Sequence, residues 1–199
     1  MPATSVQREE SKALEQRVLF TGLRWSDWVR LTEAKGERRY PKLAYLDGVM
    51  ELMSPSRHHE RIKSYLGALV ETWCLERGID IVPLGSWTLE ARAADAGIEP
   101  DECYQLGELE RERPDVAIEV IWTAGSLDKF AIYQRFAVPE VWFWRRGVIE
   151  VHILDSEGYS RTDSSVAFPG IDLSLLIELT VEPTVSAAQR RLLATLRGS

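Results

Sequence analysis

The run Val116-Ala117-Ile118-Glu119-Val120-Ile121-Trp122 constrains this chain more than any other stretch, because it sets one carboxylate inside an otherwise apolar strand-like segment. A buried carboxylate with no partner costs several kcal/mol, roughly the penalty for hiding any unmet charge. So Glu119 either faces solvent from a half-exposed strand, or a cation meets it. A second acid, Asp101, follows Pro100 eighteen residues upstream. The proline biases Glu99 towards extended conformations, which sets Asp101 at the start or end of a strand. The polar stretch Gly107–Arg113 between them allows the two strands to lie side by side with their carboxylates together.

The surrounding pattern reads as a mixed sheet with helices packed on it, an α/β or α+β arrangement. Asp47-Gly48 between two apolar runs signals a hairpin, since a type I′ turn needs positive φ at both central residues. A second hairpin is expected at Arg146-Gly147. Trp142, Phe143 and Trp144 precede it, and three bulky neighbours on one strand imply that both faces are covered. Ile62, Tyr65, Leu66, Leu69, Val70 and Trp73 recur at helical spacing, ending at Gly78. Shorter helices are expected at 26–36, capped by Ser26, and at 126–136, capped by Ser126. Residues 79–90 read as one strand, and the tail from Ala187 as a helix. Residues 1–18 read as poorly structured or helical, and 19–199 as a single domain.

Several classes of function fall away. There is no GxGxxG or GxxxxGK[ST] phosphate loop, no GxSxG elbow, and the HExxH pattern fails because Lys63 stands where the second histidine belongs. Two cysteines, Cys74 and Cys103, with no CxxC suit a reducing, cytoplasmic compartment, and no apolar run nears the roughly 20 residues of a membrane helix. With a net charge of −7, nucleic-acid binding requires a local basic surface. What remains is carboxylates and a lysine. Two acids brought together repel unless a cation intervenes, and a hard divalent ion such as Mg²⁺ or Mn²⁺ takes oxygen ligands of this kind. Lys129, ten residues past Glu119 near a helix start, can reach the same cleft. Asp115 lies on the Glu119 face but about 13 Å away by the strand rise, too far to share an ion, and reads as structural.

The ordered set Ala44–Ile62, Leu84–Leu89, Gly97–Gly107, Arg113–Trp144 and Ala167–Leu173 resembles the PD-(D/E)XK nuclease superfamily. More narrowly it resembles a bacterial family of restriction-endonuclease domains, over about Arg24 to Phe168. That resemblance implies a restriction-endonuclease-like sheet flanked by helices with an N-terminal β-hairpin, and Mg²⁺- or Mn²⁺-dependent hydrolysis of DNA. It implies Asp101 and Glu119 as metal-binding acids, Lys129 as the lysine, and Glu60 as the helix glutamate projecting towards the site. His59 and Glu51 would support it. The superfamily's usual lysine position, two residues after the second acid, holds Ile121; in this family the lysine comes from the next helix, where Lys129 stands, and close relatives carry an acid at the Ile121 position. Arg57, Arg61 and Lys63, with Arg145 and Arg146, would steer DNA, and the chain is expected to form a homodimer. The alternative is a catalytically inactive relative that binds nucleic acid or protein; a two-carboxylate glycosidase has no sugar-specific feature behind it.

Overall fold

The computed structural model describes residues 15–108, 111–122 and 127–198. Its strands form two sheets. A five-stranded sheet has the order β1-β3-β2-β6-β5, from β1 (Gln16–Phe20), β2 (Lys42–Leu46), β3 (Val49–Ser54), β5 (Leu89–Ala91) and β6 (Ala96–Ile98). A six-stranded sheet has the order β11-β10-β9-β8-β7-β4, from β4 (Ile81–Pro83), β7 (Glu102–Leu106), β8 (Val116–Ile121), β9 (Glu140–Arg145), β10 (Val148–Asp155) and β11 (Gly158–Thr162). Only the β8–β9 pair is parallel. The helices are α1 (Trp25–Lys35), α2 (Arg57–Arg77), α3 (Lys129–Arg135), α4 (Leu173–Leu179) and α5 (Val185–Gly198).

Both hairpins form where the turn chemistry puts them. Asp47 and Gly48 take φ of 47° and 83°, and Arg146 and Gly147 take 48° and 78°, so both central residues are left-handed in each turn. In α2, Ser56 accepts a hydrogen bond from the His59 backbone N–H, and Gly78 closes the helix at φ 66°.

Strand β8 runs through the middle of the larger sheet, and its alternation sorts residues between two cores. Val116, Ile118 and Val120 face α2, α4 and α5, together with Trp142 and Trp144 of β9. Ala117 and Ile121 face the other way, with Val141 and Phe143, towards α3 and the smaller sheet. Both faces of β9 are covered, as its bulky residues require. By the same alternation Glu119 points towards α3 and the smaller sheet, which is the side from which its partners come.

Four elements differ from the sequence expectation. Gln16–Phe20 is neither frayed nor helical but an edge strand paired antiparallel with β3, with Val18, Leu19 and Phe20 exposed; residues 1–14 lie outside the described residues. The stretch 79–90 is two strands in different sheets, separated where Pro83 removes a ladder donor and Gly85 turns at φ 57°. The residue capping α1 is Arg24 rather than Ser26, with the Asp27 carboxylate accepting from the Arg24 backbone N–H at 2.9 Å. Ser126 lies outside the described residues, and α3 is capped by Asp128, which accepts from Ala131 N.

Candidate active site

The two sheets meet where the chain passes from β6 to β7, and Asp101 sits at that crossing. Its approach is pinned on both sides. Glu99 accepts from Lys35 Nζ at 2.5 Å and from Leu43 N at 2.9 Å, while Lys42 Nζ donates to the Pro100 carbonyl at 2.7 Å. One step on, Glu102 pairs with Ile118 in the β7–β8 ladder. This register carries Asp101 alongside Glu119, and Asp101 Oδ2 accepts from Val120 N at 2.9 Å.

Glu119 is fully buried, and its partners come from one helix face. Lys129 Nζ donates to Oε2 at 2.6 Å and the Tyr133 hydroxyl to Oε1 at 2.5 Å. Lys129 and Tyr133 are four residues apart, so one turn of α3 presents both. Burial pushes the Glu119 carboxyl up, against the pull of Lys129 and with a push from Asp101. Burial works against the Lys129 charge too, but Glu119 and Asp101 outweigh it, so its pKa rises and the ammonium stays protonated at neutral pH. A cation meets the acid from the next helix.

Asp101 is held differently. His59 Nε2 lies 3.0 Å from Asp101 Oδ2, and His59 Nδ1 lies 2.7 Å from Glu15 Oε2, so the imidazole bridges two carboxylates. Burial opposes a charge on His59, but the hydrogen bonds to Asp101 and Glu15 overcome it and raise its pKa to about 9. The ring is therefore an imidazolium at pH 7. Asp101 is buried as well, yet His59, Lys129 and Lys42 hold it below the usual carboxylate range.

The remaining residues expected here divide. Glu51 joins the pocket from β3, with Oε1 accepting from Arg17 Nη1 at 2.6 Å and Oε2 buried without a hydrogen-bond partner among the described residues. A void of about 10 Å³ lies against Glu51, Lys42 and Lys129, room for about one water-sized particle. Glu60 Oε2 lies 3.1 Å from Arg39 Nη2, while its Oε1 is buried. Arg57 is exposed, whereas Arg61 stacks on Tyr65 and donates to the Glu182 carbonyl. Lys63 does not offer itself to a ligand: it is buried, 3.6 Å from Glu102, because the α2 face that carries it packs on β7. Asp115 is structural, accepting from Leu106 N and Arg111.

Three contributors were not read from the sequence. Glu15, just ahead of β1, and Arg17, on it, are two residues apart, and Arg17 bridges Glu15 and Glu51. Tyr133 was legible in principle, as the i+4 neighbour of Lys129.

A cleft of about 650 Å³ opens above Lys129 and Arg17. Among the described residues its walls carry Arg17, Lys129, Arg145, Arg146 and Arg161 against Asp128 and Glu150, so an acidic protein presents a locally basic surface at the site.

Asp101 and Glu119 offer hard oxygen donors only, the type Mg²⁺ and Mn²⁺ take. Mg²⁺ needs no full protein cage: one or two carboxylates with water and substrate phosphate suffice. Among the described residues no group of three or more histidine, cysteine or acidic side chains is arranged as a cluster that could hold an ion. The Glu51 Oε2 atom, with no hydrogen-bond partner among the described residues, is a further acceptor on a residue that shares a small void with Lys129. The donor set thus fits a two-carboxylate site.

The Uma2 family, described as "putative restriction endonuclease", matches residues 25–186. A solved structure similar in fold is that of a putative nuclease belonging to DUF820 from Anabaena variabilis ATCC 29413. It is 14% identical, with a TM-score of 0.46, covering 76% of this chain and 92% of that one. No curated protein matches the chain. No helix among the described residues is long and apolar enough to cross a membrane.

Proposed function

Because this chain belongs to the Uma2 family of restriction-endonuclease domains, we propose that it is a divalent-metal-dependent endonuclease acting on DNA phosphodiester bonds. The observation behind this reading is the convergence of Asp101, Glu119 and Lys129, with Lys129 also lining the basic cleft beneath which the two acids are buried. Asp101 and Glu119 would hold the ion, and when bound it supplies Lewis-acid polarisation of a phosphate. The chain's own groups do the rest. Lys129 carries a fixed positive charge within reach of any phosphate oxygen that approaches Glu119, in a site where burial strengthens each charge. Tyr133 fixes the Glu119 carboxylate in one orientation, and His59 does the same for Asp101 while keeping it ionised. Arg17, Arg145, Arg146 and Arg161 attract and align the phosphate backbone, a contribution that weakens as salt rises.

Supercoiled plasmid incubated with Mn²⁺ should be nicked by the wild type, spared when EDTA is added, and cleaved at least about 100-fold more slowly by Lys129→Met or Asp101→Asn, the order of loss that follows removal of one electrostatic stabiliser. Nicking at the wild-type rate by Lys129→Met would refute the assignment. Ile121, where close relatives carry an acid, favours a second reading, an inactive relative that only binds. Calorimetry separates the two, since that reading expects no Mn²⁺ binding by the wild type.

A further inference from the structure

The cleft above Lys129 carries an aromatic surface that phosphate hydrolysis does not call for. Trp122 stands three residues past Glu119, just beyond the end of β8, on the cleft wall, and is 40% exposed. It is not a loose side chain. Trp144 supports it with ring centroids 4.9 Å apart, and His58 flanks it at 6.1 Å. The indole leans on Trp144, towards the α2 side of the sheet, and Trp122 so forms the rim of a chamber whose other lining groups include Arg17, Arg145, Arg146 and Arg161. Arg145 is itself held in place, over the Phe143 ring at 4.8 Å and 3.6 Å from Glu150.

Cations along a groove with an aromatic platform between them is the arrangement that binds an unpaired strand, the cations following the backbone and the ring stacking a base. In a duplex, each base has its faces covered by its neighbours and shows only its edges in the grooves. An exposed indole face then has nothing to stack on unless the helix is unstacked. A single strand can splay a base out at little cost. The size agrees, because about 650 Å³ falls within the roughly 300–1,000 Å³ of pockets that enclose one small organic ligand, so it suits a nucleotide or two and not the body of a duplex.

We infer that the cleft takes a single-stranded segment of nucleic acid, with its backbone along Arg145, Arg146 and Arg161 and one base stacked on Trp122. This deepens the nuclease reading and rests on it for the meaning of the site. The substrate class becomes an unpaired strand or an unpaired stretch at a junction or end, with a base anchored at the rim of the cleft that Lys129 lines.

The test is fluorescence anisotropy in EDTA with a labelled oligothymidine of about 12 nucleotides, within the site sizes of about 4–16 known for such grooves, against a duplex of equal length. The wild type should bind the single strand at least about 10-fold more tightly than the duplex. Trp122→Ala should weaken single-strand binding by roughly 5- to 150-fold, the range a stacked base contributes, while Trp122→Phe should keep most of it. A strand of the same length with its bases removed, offered to the wild-type protein, reads the same contact without any substitution and should bind as weakly as the Trp122→Ala pairing. Equal affinity for duplex and single strand, or for the base-free and normal strands, would overturn the inference. The nuclease reading fails separately: tight, Trp122-dependent binding in EDTA with no plasmid nicking in Mn²⁺ would remove the chemistry and leave the strand-binding site standing.

Discussion

Replacing Lys129 with methionine keeps most of the side-chain volume and removes the charge, leaving Glu119 fully buried with the Tyr133 hydroxyl still donating to it. At 2.6 Å the pair attracts by about 6 kcal/mol if the effective dielectric is about 20. Breaking a buried pair from one side costs roughly 3–5 kcal/mol, because the remaining charge is stranded. Arg17 is no substitute, since Glu15 and Glu51 hold it. The stranded acid has one escape, which is to take up a proton. From an ordinary glutamate pKa of about 4.3, protonation costs about 1.36 kcal/mol for each pH unit above that value, so about 3.7 kcal/mol at pH 7 and about 1 kcal/mol at pH 5. The loss is capped by the cheaper route. The sign follows from linkage: in the variant the folded-state pKa of Glu119 is raised, so its stability relative to wild type is best at low pH and falls as pH rises. Urea unfolding in EDTA should therefore show Lys129→Met destabilised by about 3–4 kcal/mol at pH 7 and about 1 kcal/mol at pH 5, with Lys129→Met/Glu119→Gln recovering most of the difference. A loss that is the same at both pH values, or below about 1 kcal/mol at pH 7, would refute the idea that Glu119 is an ionised, desolvated partner of this lysine.

His59, with its pKa raised to about 9, contributes stability that is complete below its unfolded value near 6.5 and is lost as pH climbs through about 9; the wild-type urea midpoint should fall across that window and the His59→Gln midpoint should stay nearly flat. Gly97→Ala should cost roughly 1–3 kcal/mol by overpacking, since its new Cβ would lie 2.5 Å from the ring of fully buried Trp28, and thermal melting reads the drop directly. Glu140→Ala should lower the melting temperature further still. Its carboxylate accepts from Trp142 Nε1, Ser165 Oγ, Val166 N and Ala167 N, and losing it strands four donors, each worth about 1–3 kcal/mol if buried.

What the sequence disclosed was what local chemistry governs. Asp47-Gly48 and Arg146-Gly147 needed left-handed residues and obtained them, and Ser56 and Gly78 bracket α2 because cap chemistry is settled within a few residues. The coming together of Asp101, Glu119 and Lys129 was also legible, since one acid in an apolar strand demanded a cation and Lys129 stood ten residues on, at the start of the following helix. The rest depended on distant partners. Strand β1 carries no local signal, with three apolar residues left exposed, and what draws it in are Glu51, 34 residues from Arg17, and His59, 44 residues from Glu15. Lys63 misled because a lysine on a helix is usually solvated, whereas here its helix face packs on β7 against Glu102. The division of residues 79–90 between two sheets likewise follows from tertiary pairing, with β4 taken by β7 and β5 by β6.

The supply of Arg17 by β1, and of Glu15 by the residue just ahead of it, bears on where this chain can be cut. A shortened version beginning at Trp25, where the family match starts, keeps all three residues of the proposed chemistry but strips the imidazolium of one of its two counter-charges and frees Glu51 from its arginine. Such a fragment would fold around an unbalanced interior and misrepresent the behaviour of the intact site, so the ten residues ahead of the recognised domain belong with it.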